Sequence, residues 1–189
     1  MLRIRGVGIQ KLSLIEHWQA SAFFSDEVDI VSPMIIEDAK RVIELTDQIK
    51  QLEAQIETLN EQSQESALLR TMPGFGLVTC SEVAGEIGNV DRFNSEASLA
   101  LYVGMATLDN SSGKYKSSKQ PKHVNTRAKA AMMTVVDRHR KQVAQSQCYY
   151  EKKRNEGKTH NQAIRALGRH LCRIIYKMLV NNVGYVIKP

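Results

Sequence analysis

Between Ile35 and Leu59, apolar side chains recur every seven residues. Ile35, Val42, Ile49 and Ile56 hold one heptad position, and Leu45, Leu52 and Leu59 hold the other, with only Asp38 out of step. That repeat suits a helix and rules out a strand, whose period of two would scatter these side chains over both faces. β-Branched residues at one position with leucine at the other favour a two-stranded parallel coil. The alternative partner is the segment 9–24, which reads as a helix with Leu14, Trp18 and Ala22 on one stripe and would fold back as an antiparallel hairpin. Ser32 and Pro33 offer an N-cap and a proline at the first helical position, after an acidic connection over residues 25–29. Residues 33–66 are therefore expected to be a packing or dimerisation device without chemistry of its own.

The stalk gives way to Leu68-Leu-Arg-Thr-Met-Pro-Gly-Phe-Gly76, where Pro73 disfavours helix before it. Gly74 and Gly76 permit a tight turn around Phe75, and apolar positions at Leu77, Val78, Val83 and Ile87 open a new helix. This is the pattern of a helix-hairpin-helix, whose free amides hold a phosphate without reading sequence. A plain helical corner is the competing reading. Gly88 and Asn89 then close that helix, Ser95 caps the next through Tyr102, and Gly104 ends it.

Charge divides the chain unevenly. Residues 1–70 hold 7 Lys/Arg against 12 Asp/Glu, a net of −5, whereas residues 71–189 hold 19 against 8, a net of +11. The second part is thus fitted to a polyanion, and nucleic acid suits it better than a membrane surface because the charges lie on several segments. No apolar run approaches the roughly 20 residues of a membrane span, and the N-terminus lacks a secretion signal's apolar core. Cys80, Cys148 and Cys172 are far apart and read as reduced, half-buried thiols, so a cytoplasmic protein is expected, with no metal site or cofactor of its own.

The most distinctive loop follows Gly104. Between Ser111 and Lys129 stand Lys114, Lys116, Lys119, Lys122, Arg127 and Lys129, with no acidic residue. Ser111-Ser112-Gly113 reads as a turn, and the lysines leave it at near-alternating spacing, as on a short strand. A hydroxyl in such a positive field suits a phosphodiester, while a solvated loop that only touches backbone fits the same spacing. Tyr102 and Tyr115 flank the turn, Tyr102 reading as core, and His123 is a candidate base or phosphate contact. Lys122, Arg127 and Lys129 mark the start of a helix running to about Val143 as phosphate contacts. Beyond it lie two helices broken near Gly157, the second burying Ile164, Leu167, Leu171, Ile174, Ile175 and Met178. Arg165, Arg169 and Arg173 recur every four residues on its other face, either tracking a nucleic-acid backbone or simply solvated.

Four segments in fixed order carry a resemblance: Thr71-Met-Pro-Gly-Phe-Gly-Leu-Val-Thr79, Ala84-Gly-Glu-Ile-Gly-Asn-Val-Asp-Arg-Phe93, Leu99-Ala-Leu-Tyr-Val-Gly-Met-Ala106 and Ser112-Gly-Lys114. Over about residues 66–183 the chain resembles the C-terminal transposase domain of the bacterial insertion-sequence family numbered one hundred and ten, which includes the pilin-gene invertases. The family's Gly-Leu-x-Pro is Gly104-Met-Ala-Thr107 here, and its Lys-x-Gly-Asn is Lys122-His-Val-Asn125.

The resemblance implies an RNA-guided DNA recombinase in which Ser112 attacks a DNA phosphate, with a structured guide RNA as partner. It also implies an N-terminal RNase-H-like domain whose carboxylates hold magnesium, and these 189 residues begin near the coiled coil that follows it. The expectation is a mainly α protein: a stalk over 1–66 and a transposase domain over 67–189, with a basic loop or short hairpin. It would act as a site-specific recombinase fragment, binding DNA but cleaving slowly or not at all alone and self-associating through residues 33–66. The rival is a non-catalytic nucleic-acid-binding and dimerisation module. Gly74, Gly76 and the six cations from Lys114 to Lys129 are the expected nucleic-acid contacts, and Ser112 the catalytic residue.

Overall fold

The computed structural model describes residues 9–21, 28–112, 114, 118–119 and 121–186, and within them the protein is mainly helical. The chain divides into two units, residues 1–50 and 51–189. The first holds α1 (Ile9–Ser21) and most of α2 (Val28–Glu61). α2 begins before Pro33 instead of at it, so the proline sits inside the helix and forfeits one backbone bond. Most heptad residues of α2 are exposed, with Ile35 at 62 %, Val42 at 63 % and Ile49 at 55 %, whereas Ile56 is half-buried. On α1, Leu14 and Trp18 are exposed as well. Most of the seam is thus exposed among the described residues.

The 51–189 unit starts with the last turns of α2. Asn60 is buried there, donating to Leu77 O (3.4 Å) and accepting from Ser81 Oγ (2.8 Å), while Glu57 receives Arg70 at 2.6 Å. The helix stops at Glu61 because Ser63 caps a new one, accepting from the Ser66 amide. This is α3 (Gln64–Arg70), and it ends at Thr71, two residues before Pro73, as the sequence pattern requires. α4 (Leu77–Ile87) follows, then a 3₁₀ turn at Val90–Arg92 and α5 (Glu96–Tyr102), capped by Ser95 with reciprocal bonds to Ser98. Two two-residue strands, β1 (Leu108–Asp109) and β2 (Ser118–Lys119), pair antiparallel, Leu108 opposite Lys119 and Asp109 opposite Ser118.

Three helices complete the core: α6 (Thr126–Gln142), α7 (Ala144–Asn155) and α8 (His160–Asn181). α4 packs on α6, α5 on α8, and α6, α7 and α8 on one another. Leu69, Met72, Ile87, Leu99, Met132, Ile164 and Ile175 are among the fully buried side chains. Ile174, expected on the buried side of α8, instead reaches the surface at 36 % exposure. Cys80 and Cys172 are buried, with burial pushing the Cys172 thiol up to about 12, whereas Cys148 is exposed.

α8 ends on Asn182 in the left-handed conformation, and the chain returns so that the Tyr185 amide donates to Thr71 Oγ1 at 2.7 Å. The Tyr185 hydroxyl then meets His139 Nε2 at 3.3 Å, leaving the buried Nδ1 of that histidine without a partner. Burial lowers the His139 pKa, and His170 is displaced the same way by burial and neighbouring cations. The unfolded chain therefore binds more protons just below the ordinary value of 6.5, and stability rises with pH through that window. Unfolding free energy should fall as pH drops from about 7.5 to about 5, and His139→Gln should flatten the slope without abolishing it, since His170 remains. Urea unfolding of both proteins across that range checks this.

Candidate nucleic-acid interface

The loop of interest is positioned by the end of α5. Met105 N and Ala106 N both donate to Ala100 O, at 2.8 and 3.0 Å, folding residues 104–106 back over the helix end. Asn125 locks this segment to the next helix: its amide donates to Tyr102 O (2.9 Å), its Oδ1 caps α6 at the Ala128 amide (3.0 Å), and its Nδ2 donates to Tyr102 Oη (2.8 Å) and Glu86 Oε2 (2.5 Å). Asn125 thus caps α6 even though Val124 stands where the family pattern has glycine. The Tyr102 hydroxyl donates to Glu86 O, and its ring packs on Phe93 with Arg92 over its face, so this tyrosine is structural.

From this anchor β1 and β2 project a hairpin whose connection, residues 110–117, carries Ser112. Ser112 and Lys114 are exposed, as is Lys119 on β2. Gly113, Tyr115 and Lys116 lie outside the described residues. Beneath the hairpin is a cavity of about 520 Å³ with Phe93, Leu101 and Leu108 among its apolar walls, and Lys119, Lys122 and His123 also line it. Three of the cationic or titratable candidates therefore converge on one opening. Arg127 is 79 % exposed, with a long 3.7 Å approach to Glu86. Lys129 is half-buried, because its stem packs where a Cβ on Gly104 would come within 2.8 Å of it.

The turn between α3 and α4 is placed differently from the loop. Gly74 has φ +95° and is buried against α6, so close that an added Cβ would lie 2.6 Å from Val135 O and 2.8 Å from His139 N. Its glycine character answers to that helix contact. Gly76 is half-buried and is the N-cap of α4; its amide donates to Thr79 Oγ1 at 2.9 Å. A Cβ there would meet only the guanidinium of Arg138, 3.3 Å away. Arg138 is exposed, and sequence reasoning missed it: nothing in the spacing of α6 shows that this arginine reaches the start of α4.

This arrangement of a Gly-bounded turn, a cap on Asn125 and a basic hairpin can be compared with known proteins. Residues 66–151 match the transposase IS116/IS110/IS902 family. The matched segment runs from α3 to α7 and contains the Gly74 turn, Ser112 and Asn125. Among curated relatives, the 43.6 kDa protein of insertion element IS110 from Streptomyces coelicolor is 32 % identical over 84 % of this chain and 38 % of its own length. The 42 kDa protein of IS900 from Mycobacterium paratuberculosis is 31 % identical over 78 % of this chain and 37 % of its own length. The 44.8 kDa protein of IS116 from Streptomyces clavuligerus is 24 % identical over 77 % and 37 %. The chain thus spans well under half the length of these relatives, and it is similar to them across most of its own. The matched segment contains the basic hairpin, and among the described residues no helix is long and apolar enough to cross a membrane.

Proposed function

We propose that this chain is the DNA-engaging portion of a transposase, with Ser112 as the nucleophile of a site-specific recombination reaction. The observation that carries the reading is the match of residues 66–151 to an insertion-element transposase family, in a segment that carries exposed Ser111 and Ser112 within a cationic loop. In the step proposed, Ser112 Oγ forms a bond to phosphorus as it gives up its proton, and the phosphorus bond to a deoxyribose oxygen breaks, that oxygen leaving with a proton. Lys114, Lys119 and Lys122 would offset the charge that builds on the phosphoryl oxygens. His123, which lines the same cavity as Lys119 and Lys122, is the candidate to accept the serine proton. The Gly76 end of α4, with Arg138 beside it, would hold a second phosphate in the manner of a helix-hairpin-helix.

Among the described residues, no group of three or more His, Cys, Asp or Glu converges to hold a metal ion. Guide RNA and the carboxylate domain belong to the proposed larger assembly. The test supplies that domain and RNA in trans with a labelled DNA junction and scores a covalent protein–DNA species on a denaturing gel. An adduct supports a recombinase; intact binding with no adduct in a complete assembly leaves the non-catalytic binding module.

The exposed seam of α2 supports self-association through residues 33–66. Fully burying each Leu or Ile is worth about 1.5–3 kcal/mol, so several heptad layers offset the cost of association. Sedimentation equilibrium should show a dimer for the wild type. Leu45→Asp with Leu52→Asp should raise its dissociation constant by about 100-fold or more, leaving the far-ultraviolet spectrum largely helical.

A further inference from the structure

A second basic concavity lies on the other side of the 105–107 segment. Gly168 on α8 lacks a Cβ where the Met105 sulfur packs, which lets Met105 sink into the core and lays Ala106 and Thr107 beside α8. Between this segment, α7 and α8 opens a cavity of about 580 Å³. Lys153, Lys158, Arg165, Arg169 and Arg173 all line it, and no Asp or Glu does. Glu156 partners Lys153 at 2.8 Å and Glu96 partners Arg173 at 2.6 Å. Lys158, Arg165 and Arg169 have no carboxylate within ion-pair distance among the described residues, and although Glu156 also feels Lys158 at longer range, the five cations around the hollow outnumber the two carboxylates, Glu156 and Glu96, that reach them. The low-dielectric walls of a cleft concentrate such a field, so an anion gains more there than on a flat surface.

The geometry points to this α7–α8 cleft as a binding site for the sugar–phosphate backbone of a single DNA strand leaving the Ser112 hairpin. Three features select a strand over a small anion. Arg165, Arg169 and Arg173 are spaced by one helical turn, about 6 Å along the axis, so the cations form a row that follows successive phosphates. Tyr149 and His170 also line the cleft, edge to face at 4.7 Å and joined through Tyr149 Oη and His170 Nε2 at 2.9 Å, offering an aromatic surface for a base. Thr107, on the cleft wall, directly precedes β1 of the hairpin, so both sites lie along one continuous stretch of protein. The neutral form of His170 is favoured by its burial and by Arg173, Arg169 and Lys153, as expected inside such a field.

The assignment of DNA to this cleft rests on the transposase reading, and its test is a binding measurement that needs no cleavage. Fluorescence anisotropy would follow the full chain on a single-stranded DNA of about 20 nucleotides across a salt series. Arg165→Gln with Arg169→Gln should weaken binding about 10-fold or more and reduce the salt slope by about 1.4, the value for two lost phosphate contacts on a single strand. Lys11→Gln with Lys40→Gln removes the same charge from α1 and α2 and should change neither quantity by as much as half of that. Equal losses in both variants, or an unchanged slope in the first with its helical spectrum intact, would overturn the proposal. So would a loss confined to an RNA of the same sequence, which would make the cleft an RNA site. Because Ser112 is read by adduct formation and the cleft by binding, failure of either assignment leaves the other measurable.

Discussion

Gly74→Ala should destabilise the 51–189 unit by about 2–6 kcal/mol, a large share of the roughly 5–15 kcal/mol that a domain of ordinary stability possesses. Two costs add at this position. A non-glycine residue at φ +95° loses about 1–3 kcal/mol to backbone strain. The new methyl would also overlap Val135 O and His139 N, which are backbone atoms of α6 and cannot rotate away, so α4 and α6 must separate at further cost of about 1–3 kcal/mol. Two other glycines separate these terms. Gly157 has φ +83° with nothing within 4 Å of a built Cβ, so Gly157→Ala should pay the strain alone. Gly85, in the interior of α4, also has open space, and Gly85→Ala should stabilise by about 0.5–1 kcal/mol through helix propensity. Urea denaturation of the three variants checks the order. A Gly74→Ala protein as stable as Gly157→Ala would show that α6 does not press on the turn.

The same glycine shows where the sequence was legible. Gly-x-Gly after proline marks the turn, and the apolar spacing marks α4, because both are local signals. That the tightest approach at Gly74 is to Val135 and His139, some sixty residues on, is a tertiary fact with no local trace. The helix boundaries divide similarly. Ser95, Gly104 and Gly157 all act where punctuation of this kind predicts, whereas the sequence reading does not include the Asn125 cap of α6. Ser32–Pro33 does not, because α2 tolerates one lost bond near its start, and Ser63 ends α2 at a break that the continuous stalk reading of 33–66 passed over. Among the candidate residues, the basic run draws attention to Lys114, Lys119 and Lys122, and all three are exposed. The α7–α8 cleft is only half visible: the Arg165–Arg169–Arg173 row is periodic, but Lys153 and Lys158 join it through the packing of two helices and the seat that Gly168 gives Met105.

Ser112→Ala should abolish the covalent protein–DNA species in the complemented assembly, reducing it by about 1,000-fold or more, as expected when the attacking group itself is removed. DNA affinity should change by less than about twofold, since a hydroxyl contributes no charge to a binding energy dominated by phosphate contacts. The adjacent Ser111 makes the test stringent. Both serines are exposed in the connection between β1 and β2, and either could in principle reach a phosphate. Ser111→Ala should keep at least about a tenth of wild-type adduct, because its loss perturbs the turn without removing the nucleophile. Ser112→Cys adds a chemical signature: a thiolate attacks phosphorus poorly but leaves readily, so little adduct should accumulate even though the side chain is nearly the same size. Reversal of the two alanine variants would move the nucleophile to Ser111. Adduct surviving in the double variant Ser111→Ala with Ser112→Ala would show that the hairpin holds the phosphate by charge while another group carries out the attack.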